Sequence, residues 1–307
     1  MIFSDDGHSP HKPVMLDEVI SFIKPGKGDI IVDATIGAGG HSCEILKMIE
    51  PDGLLIGIDK DAEILKIAGR YLSNISDSYK LYQADYVDLD YILNKLEISK
   101  VQGILLDLGV SSLQLDSMER GFSFFKEGPL DMRMDRSQGK TAEDLLKRLS
   151  EKEMADIFWR YGEEGRSRRI AKAIIQERKS GTEIKTTTQL SKIVEKALFT
   201  PKKKYQKKRK IHPATRVFQA LRIAVNDELK SLEHFLNNVC EFLASGSRIV
   251  VVSFHSLEDR LAKNAFRKGQ GASSLEILTK KPLSPLDSEI RENVRARSAK
   301  LRAAERT

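Results

Sequence analysis

Short apolar runs that alternate with helix-like stretches constrain the fold of this chain more than any other feature. Each run is apolar throughout instead of alternating with polar residues, which is typical of a parallel sheet covered by helices on both faces. The runs lie at residues 29–34, 54–59, 80–82 and 101–107. Helix patterns follow at residues 41–49, 61–72 and 88–96, and Asp61 is placed to cap the second of these helices. The sequence therefore predicts a doubly wound α/β core.

The alternation is interrupted after the fourth run. Amphipathic helical stretches without a convincing strand follow, at residues 141–149, 151–161, 168–179 and 188–198. The α/β pattern then resumes with a long predicted helix from about residue 215 to 243. After it come a buried strand at 248–254, a helix at 257–267 and extended segments at 275–279 and 299–304. We therefore predict a discontinuous core, residues 1–117 and 216–307, with an all-helical insert at 118–215 after strand four.

The composition argues against several classes of protein. No stretch approaches the roughly eighteen uninterrupted apolar residues of a membrane span, and the N-terminal residues lack the basic start and apolar core of a secretory signal. The two cysteines, Cys43 and Cys240, are too few for a disulfide framework, and they form no CxxC pair for zinc. We therefore expect a cytoplasmic protein that has no membrane partner.

Positive charge is concentrated in two parts of the chain. The net charge is +7, and residues 202–210 are almost entirely cationic. The second basic cluster consists of Arg291, Arg295, Arg297, Lys300, Arg302 and Arg306. A charge run is often only a solvated loop, but two clusters in one chain favour contact with the phosphates of a nucleic acid.

A glycine-rich turn lies where the first strand leads into the first helix. Gly37, Gly39 and Gly40 permit a sharp turn and a close approach of a ligand to the N-terminus of that helix. Asp59 ends the second strand, where an acid can accept hydrogen bonds from both hydroxyls of a ribose. This arrangement fits a dinucleotide or S-adenosylmethionine. The dinucleotide fingerprint G-x-G-x-x-G is poorly matched, because its third glycine falls on Ser42.

Two further positions are candidates from their place in the pattern. Asp85 and Tyr86 follow the third strand, and an acid next to an aromatic ring can hold the edge and face of an adenine. His255 ends the fifth apolar strand, at the carboxyl edge where open α/β sheets bind their ligands. It either contacts the substrate or ties Glu258 or Asp259 to the end of the strand, and both roles remain open.

Several long segments then carry a family resemblance. They lie at 11–18 (HKPVMLDE), 37–42, 103–112 (GILLDLGVSS), 120–124, 128–135 (GPLDMRMD), 161–164, 212–216, 218–223, 252–260 (VSFHSLEDR) and 295–302. By these segments, which span nearly the whole chain, the sequence resembles the MraW family of ribosomal RNA small-subunit methyltransferases. Members of that family methylate N4 of a cytidine in the decoding region of 16S ribosomal RNA.

The resemblance implies a class I S-adenosylmethionine-dependent methyltransferase fold, a Rossmann-like doubly wound sheet whose helical insert recognises the substrate. The implied contacts with S-adenosylmethionine lie at the turn after strand one, near the ends of strands two to four and just beyond strand four. They are Gly39, Gly40, His41, Asp59, Tyr86, Asp107 and Gln114. No metal is expected. The implied partner is 16S ribosomal RNA within the small subunit, and either a monomer or a weak homodimer is compatible with the sequence.

Asp107 and His255 are the candidate catalytic residues. The lone pair of a cytosine N4 amine is delocalised into the ring, so a hydrogen-bond acceptor on its N–H would localise that pair and later take the proton. Enzymes that methylate exocyclic amines usually carry an Asp/Asn/Ser-Pro-Pro-aromatic tetrad, which this chain lacks. Asp107 therefore serves the cofactor, the amine or both, with Ser111 and Ser112 as weaker alternatives.

Other conspicuous residues have two interpretations each. Asp131, Arg133 and Asp135 suggest a metal site, but the interleaved Arg and Met residues favour a network of salt bridges. Arg216 and Arg222 either reach RNA phosphates or stacked bases or form buried ion pairs to the insert. The aromatic residues Phe122, Phe124 and Phe125 either stack on an extruded base or pack at a hinge between the predicted domains.

Two other classes of function compete with methyl transfer. A non-catalytic RNA-binding assembly factor would be indicated by loss of the glycine turn, Asp59 or Asp107, and all of these are present. An NAD-dependent oxidoreductase is disfavoured by the glycine spacing and by the two basic clusters.

Overall fold

The structure is a computed structural model that describes residues 13–199 and 212–307. The first two residues of the 11–18 motif and the basic run at 202–210 lie outside the described residues. By its internal contacts the chain divides into two compact units. Unit 1 comprises Met1–Gly109 and Leu229–Thr307, and unit 2 comprises Val110–Glu228. The segment predicted as the insert, 118–215, falls within unit 2.

The described residues of unit 1 form a seven-stranded sheet. Its strands are β1 (Ile30–Asp33), β2 (Leu54–Asp59), β3 (Tyr79–Gln83), β4 (Val101–Asp107), β5 (Leu243–Ser253), β6 (Leu275–Ile277) and β7 (Lys300–Arg306). The spatial order is β3-β2-β1-β4-β5-β7-β6. The first five strands are parallel, and β7 runs antiparallel to both of its neighbours. This arrangement confirms the predicted class I methyltransferase fold.

Thirteen α-helices lie in the described part of the chain and are numbered in chain order. They are α1 (Leu16–Ile23), α2 (Gly40–Ile49), α3 (Ala62–Leu72), α4 (Leu89–Lys95), α5 (Ser112–Asp116), α6 (Ala142–Arg148), α7 (Glu151–Arg160), α8 (Ser167–Lys179), α9 (Thr187–Leu198), α10 (Thr215–Asn226), α11 (Glu228–Asn238), α12 (Ser256–Gly271) and α13 (Asp287–Glu292). The sequence pattern missed the short helices α1, α5 and α13. Asp61 caps α3 as predicted, because its carboxylate accepts the N–H of Glu63 at 3.0 Å.

The apolar strands of unit 1 bury both faces of the sheet. Alternate residues of β1 point to opposite sides, so that Val32 belongs to one hydrophobic cluster and Ile31 to the other. Both side chains are fully buried. The continuous apolar runs in the sequence therefore reflect helices on the two faces of a parallel sheet, as the pattern predicted.

Unit 2 is built from helices α5 to α10 around one core. Phe158, Leu190 and Leu221 come from three of these helices and are fully buried in that core. Capping boxes begin α6, α7 and α9, in which a Ser or Thr accepts the N–H of the third helical residue and that residue's side chain bonds back. The four helices predicted between 141 and 198 are present, with ends shifted by one or two residues.

The predicted long helix from 215 to 243 is wrong. Helix α10 ends at Asn226, and Asp227 adopts a left-handed backbone conformation with φ of 52° before α11 begins at Glu228. The Asn226 side chain donates to the carbonyls of Met132 and Arg222, which holds the chain at this break. The C-terminal end of the predicted helix is also wrong, because strand β5 already begins at Leu243.

Among the described residues, no helix combines the length and the apolar character that a membrane crossing requires. The longest of these described helices, α12, has 16 residues and carries several charged side chains.

Candidate active site

The candidate site lies at the carboxyl ends of the parallel strands of unit 1. The chain leaves β1 toward β2 and β3 and then returns to add β4 on the other side of β1. Ligands of open α/β sheets bind outside the carboxyl ends of the strands at such a reversal. Asp33, Asp59 and Asp107 are the last residues of β1, β2 and β4, so three neighbouring strands each end in a carboxyl group at this edge.

The glycine turn connects the ends of β1 and β2. Gly37 and Gly39 have φ of 52° and 85°, a conformation that strains residues with a Cβ, and Gly39 is the residue before α2. The N–H of Gly37 donates to Asp59 Oδ2 at 3.0 Å. Gly40, the first residue of α2, lies close to Pro13, which a Cβ at position 40 would meet at 3.2 Å. The turn is therefore built for close approach and is fixed to the second strand.

Asp59 uses both oxygens and retains capacity for a ligand. Oδ2 accepts from Gly37, and Oδ1 accepts the N–H of Asp61 at 2.9 Å. Each carboxylate oxygen can accept a second hydrogen bond, which leaves two sites for hydroxyl donors. Burial raises the pKa of Asp59 to about 6, although these N–H groups oppose the shift.

Asp33 is a buried part of the same edge. Its side chain accepts from the Ser42 hydroxyl at 2.7 Å and from the Thr35 N–H at 3.3 Å. Burial raises the pKa of Asp33 to about 6, and the charge of Asp59 adds to the rise. Ser42 occupies the position of the third glycine of a dinucleotide fingerprint. Its side chain is fully buried and donates a hydrogen bond to the Asp33 carboxyl group.

Asp107 has an incompletely satisfied carboxyl group. Its Oδ1 is buried and has no hydrogen-bond partner among the described residues, and its backbone N–H donates to the Thr35 hydroxyl at 2.6 Å. Burial raises the pKa of Asp107 well above its usual range, and the charges of Asp33 and Glu258 raise it further. The protonated form of Asp107 is therefore favoured relative to that of an ordinary, solvent-exposed aspartate.

His41 lies in the first turn of α2, beside Asp107 at the end of β4. Its Nε2 is 2.9 Å from the Val14 carbonyl, and its Nδ1 is 3.6 Å from Asp107 Oδ2. Burial lowers the pKa of His41 to about 4, so the imidazole is neutral at physiological pH. The structure thus places the glycine turn, His41, Asp59 and Asp107 at the same edge of the sheet, and their roles in binding stay predictions.

Tyr86 and Asp85 lie at the end of β3, against helix α11. Tyr86 is buried and meets Phe235 edge to face, with ring centroids 5.3 Å apart. Asp85 pairs with Lys60 at 2.7 Å and accepts the Ser231 hydroxyl at 2.9 Å. Sequence reasoning missed Ser231 and Phe235, because no local pattern relates them to a strand about 150 residues earlier in the chain.

His255 is the residue before α12 and forms a capping box with Glu258. Its Nδ1 accepts the Glu258 N–H at 3.4 Å, and Glu258 Oε2 accepts the N–H groups of Phe254 and His255. Its Nε2 lies 3.0 Å from Glu258 Oε1 in a close polar contact without the alignment of a hydrogen bond. Of the two roles left open by the sequence, this geometry favours the structural one, with Glu258 as the partner.

Gln114 lies in unit 2, in the short helix α5, and its side chain is buried. It forms a capping box with Ser111, whose N–H donates to Gln114 Oε1 at 3.0 Å. Its assignment to the cofactor stays a prediction from the family resemblance.

The charged residues singled out in unit 2 form internal pairs. Arg133 binds both oxygens of Asp131, at 2.7 and 2.9 Å, which agrees with the salt-bridge interpretation. Arg222 binds both oxygens of Glu228 at 2.8 Å, in the same way. Arg216 is half exposed and donates to the Glu163 carbonyl at 3.0 Å. Arg216 thus remains the more accessible cation of the two on α10.

The aromatic residues of unit 2 are divided between the core and the surface. Phe122 is buried, whereas Phe125 is 81% exposed. Phe124 stacks on the His212 ring with centroids 4.6 Å apart and also contacts Phe218.

Part of the C-terminal basic cluster is structural. Arg302 is buried in β7 and pairs with Asp259 at 2.7 Å, and Arg306 donates to the Ser274 carbonyl at 2.9 Å. The prediction that this cluster contacts phosphates therefore does not extend to Arg302, whose guanidinium neutralises an acid of its own unit.

Comparison with known proteins assigns the chain to a family. The sequence matches the MraW methylase family over residues 8–307. A relative from Thermotoga neapolitana, named ribosomal RNA small subunit methyltransferase H, is 52% identical over 297 residues, which cover 96% of this chain and 95% of the relative. A relative of the same name from Persephonella marina is 48% identical over 296 residues, covering 96% and 99% of the two chains. These matches confirm the resemblance inferred from the sequence motifs, and the chain belongs to the MraW methylase family.

Proposed function

We propose that the protein transfers a methyl group from S-adenosylmethionine to the N4 amine of a cytidine in the decoding region of 16S ribosomal RNA. The observation that carries the proposal is the acidic edge formed by Asp33, Asp59 and Asp107 at the ends of three neighbouring strands. The pKa values of Asp33 and Asp59 are about 6, so these two carboxyl groups are mostly ionised at physiological pH and favour a sulfonium cation over the anionic diphosphate of NAD. Family membership and the names of the relatives support small-subunit ribosomal RNA as the methyl acceptor.

The residues of this edge fit S-adenosylmethionine. The two Asp59 oxygens have free acceptor capacity for both ribose hydroxyls. Tyr86 would contact the adenine of S-adenosylmethionine. Gly39, Gly40 and His41, in the turn and at the start of α2, would contact the remainder of the cofactor. Gln114 completes the proposed set on the basis of the family resemblance. Once bound, S-adenosylmethionine supplies an electrophilic methyl group on a positively charged sulfur.

Asp107 is the proposed proton acceptor. An ionised Asp107 accepts a hydrogen bond from the amine N–H, which localises the nitrogen lone pair for attack on the methyl group. Its raised pKa makes the ionised form a stronger base than an ordinary carboxylate. His255, the second catalytic candidate, acts in this proposal through Glu258, whose carboxylate it contacts and whose charge faces Asp107.

The RNA partner accounts for the charge of the chain. The net charge of +7 and the run at 202–210 favour a polyanion, and base pairing must be absent or broken for N4 to be reached. Unit 2 is the proposed substrate-recognition part of the chain. A cytoplasmic location, where ribosomal subunits are assembled, belongs to the same proposal.

The test is methyl transfer into small ribosomal subunits from cells that lack the gene. With tritium-labelled S-adenosylmethionine, the purified protein should label 16S ribosomal RNA, and mass mapping should place one methyl group on N4 of a cytidine. Asp107→Asn should lower the rate by about a hundredfold or more while binding of S-adenosylhomocysteine persists. Asp90→Asn, which removes the same charge from an exposed site on α4, is the matched control and should be fully active. Binding of NADH without binding of S-adenosylhomocysteine would exclude the proposal.

A further inference from the structure

The tautomer of His41 is fixed by its contact with the backbone. Nε2 lies 2.9 Å from the Val14 carbonyl oxygen, which can only accept a hydrogen bond, so Nε2 carries the proton. In a neutral imidazole the other nitrogen is then a bare acceptor. The ring is 5% exposed and its pKa is lowered by burial, so the doubly protonated cation is disfavoured at neutral pH. His41 therefore presents a lone pair, and not an N–H, on its Nδ1 side.

That lone pair faces a carboxyl group. Nδ1 lies 3.6 Å from Asp107 Oδ2, slightly beyond hydrogen-bond distance. Two lone pairs repel each other, so an ionised Asp107 gains nothing from this neighbour. A protonated Asp107 can donate its O–H to Nδ1 after a small movement. The pair is thus complementary only when the carboxyl carries a proton.

The other groups around Asp107 favour the same state. Asp33 at the end of β1 and Glu258 in α12 are the charged groups that face it, and both are acids. The Oδ1 atom is buried and has no partner in the described part of the chain. A negative charge on Asp107 is therefore opposed from β1 and α12 and receives no hydrogen bond from α2.

We propose that His41 is a positioning residue for Asp107, whose proton it accepts in a hydrogen bond at Nδ1. The inference rests on the proposed function for its role in the reaction. When the N–H bond of the methylated amine breaks, the electron pair stays on nitrogen and an O–H bond forms on Asp107. The new O–H lies on Oδ2, the oxygen nearest Nδ1, and rotation about its C–O bond turns the proton from the amine to the imidazole, where His41 accepts it in a hydrogen bond. The same contact stabilises neutral Asp107 in the absence of substrate.

Two substitutions separate this role from a purely structural one. The amide of His41→Gln can still donate to the Val14 carbonyl, but nothing replaces the acceptor at Nδ1. The Asn side chain is shorter, so in His41→Asn the amide no longer reaches the Val14 carbonyl, but its oxygen can lie opposite Asp107. The protonation of Asp107 is followed by the infrared C=O band of the neutral carboxyl, identified as the band that Asp107→Asn removes. This measurement needs no turnover, and the pH profile of methylation is recorded beside it.

His41→Gln should lower the pH midpoint of the Asp107 band by about one unit, because a hydrogen bond to one protonation state shifts a pKa on that order. The acid limb of the methylation profile should move by the same amount, and His41→Asn should stay closer to the original protein in both. An unchanged midpoint in His41→Gln, or a larger shift in His41→Asn, would show that His41 only ties α2 to Val14. If the midpoint shifts in His41→Gln but the original protein methylates no RNA, the pairing of His41 with Asp107 is supported and the proposed function is rejected.

A measurement on the unsubstituted protein covers the case in which the variants do not fold. Nitrogen-15 chemical shifts of His41 in the unsubstituted protein at pH 7 should show a protonated Nε2 and a bare Nδ1, and the Nδ1 resonance should shift as Asp107 loses its proton with rising pH. An Nδ1–H tautomer or an imidazolium at pH 7 would overturn the proposal.

Discussion

The N–H of Gly37 donates to the carboxylate of Asp59 over 3.0 Å, which joins the turn after β1 to the end of β2. The two residues are 22 positions apart in the chain. The Asp59 carboxylate can therefore bind a ligand, and it also helps to fix the position of the turn that this ligand contacts.

Asp59→Asn should weaken binding of S-adenosylhomocysteine by about ten- to a hundredfold, the usual effect of losing one hydrogen bond to a charged group. The amide keeps one acceptor oxygen, so the Gly37 contact can persist while the Asp61 N–H and one ribose hydroxyl lose their acceptor. Isothermal calorimetry measures the affinity. Glu63→Gln removes a nearby exposed charge and serves as the control. Equal weakening in both variants would mean that only the overall charge of this edge matters.

His255→Ala should destabilise unit 1 by about 1 kcal/mol, because it removes the side chain that caps α12. His255→Asn keeps a capping group and should recover most of that stability in urea unfolding. We expect the alanine variant to lose less than tenfold in methylation rate. A loss of a thousandfold with unchanged stability would instead assign the proton-accepting role to His255.

Asp33→Asn should stabilise the protein at pH 8 and not near pH 4. Burial raises the pKa of Asp33 from 3.8 to about 6 in the folded protein. Protonated Asp33 therefore contributes to the free energy of unfolding fully below pH 3.8, and this contribution is lost as the pH rises through 6. The neutral amide avoids that loss, so the gain at pH 8 should be up to about 3 kcal/mol. Urea unfolding between pH 4.5 and 8 measures it. The exposed Asp52→Asn should show no such pH dependence, and a gain that is constant with pH would refute the assignment to Asp33 ionisation.

Gly121→Ala should destabilise unit 2 by about 3 to 4 kcal/mol, the sum of left-handed strain and overpacking. Gly121 has φ of 71°, and an added Cβ would lie 2.1 Å from the Pro129 carbonyl oxygen. Gly139 has a similar φ of 80° with open space around it, so Gly139→Ala should cost only about 1 kcal/mol. Thermal unfolding compares the two. Similar losses in both would show that the contact with Pro129 relaxes freely.

The sequence was sufficient for the features that depend on local pattern. Apolar runs located β1 to β4, and the capping chemistry of Asp61 located the start of α3. Glycine spacing and the acid at the end of β2 identified the ligand-binding edge, because both follow directly from strand position.

Features that depend on tertiary contacts could not be predicted. The break at Asp227 is held by Asn226 bonds to Met132, 94 residues away, and helix propensity alone does not reveal it. Ser231 reaches Asp85 over 146 positions. The tautomer of His41 likewise depends on a carbonyl 27 positions earlier. In each case the deciding partner is distant in sequence and carries no pattern of its own.

The place of β7 has a consequence for incomplete chains. β7 lies between β5 and β6, and it is the only strand with which β6 pairs in the described sheet. A chain that stopped before Lys300 would leave β6 detached and the apolar segment Ile249–Val252 of β5 with an open row of backbone donors and acceptors. Such an edge recruits other strands. Truncation products of this protein should therefore aggregate, so that a missing terminal strand is a hazard to the cell and not merely a loss of activity.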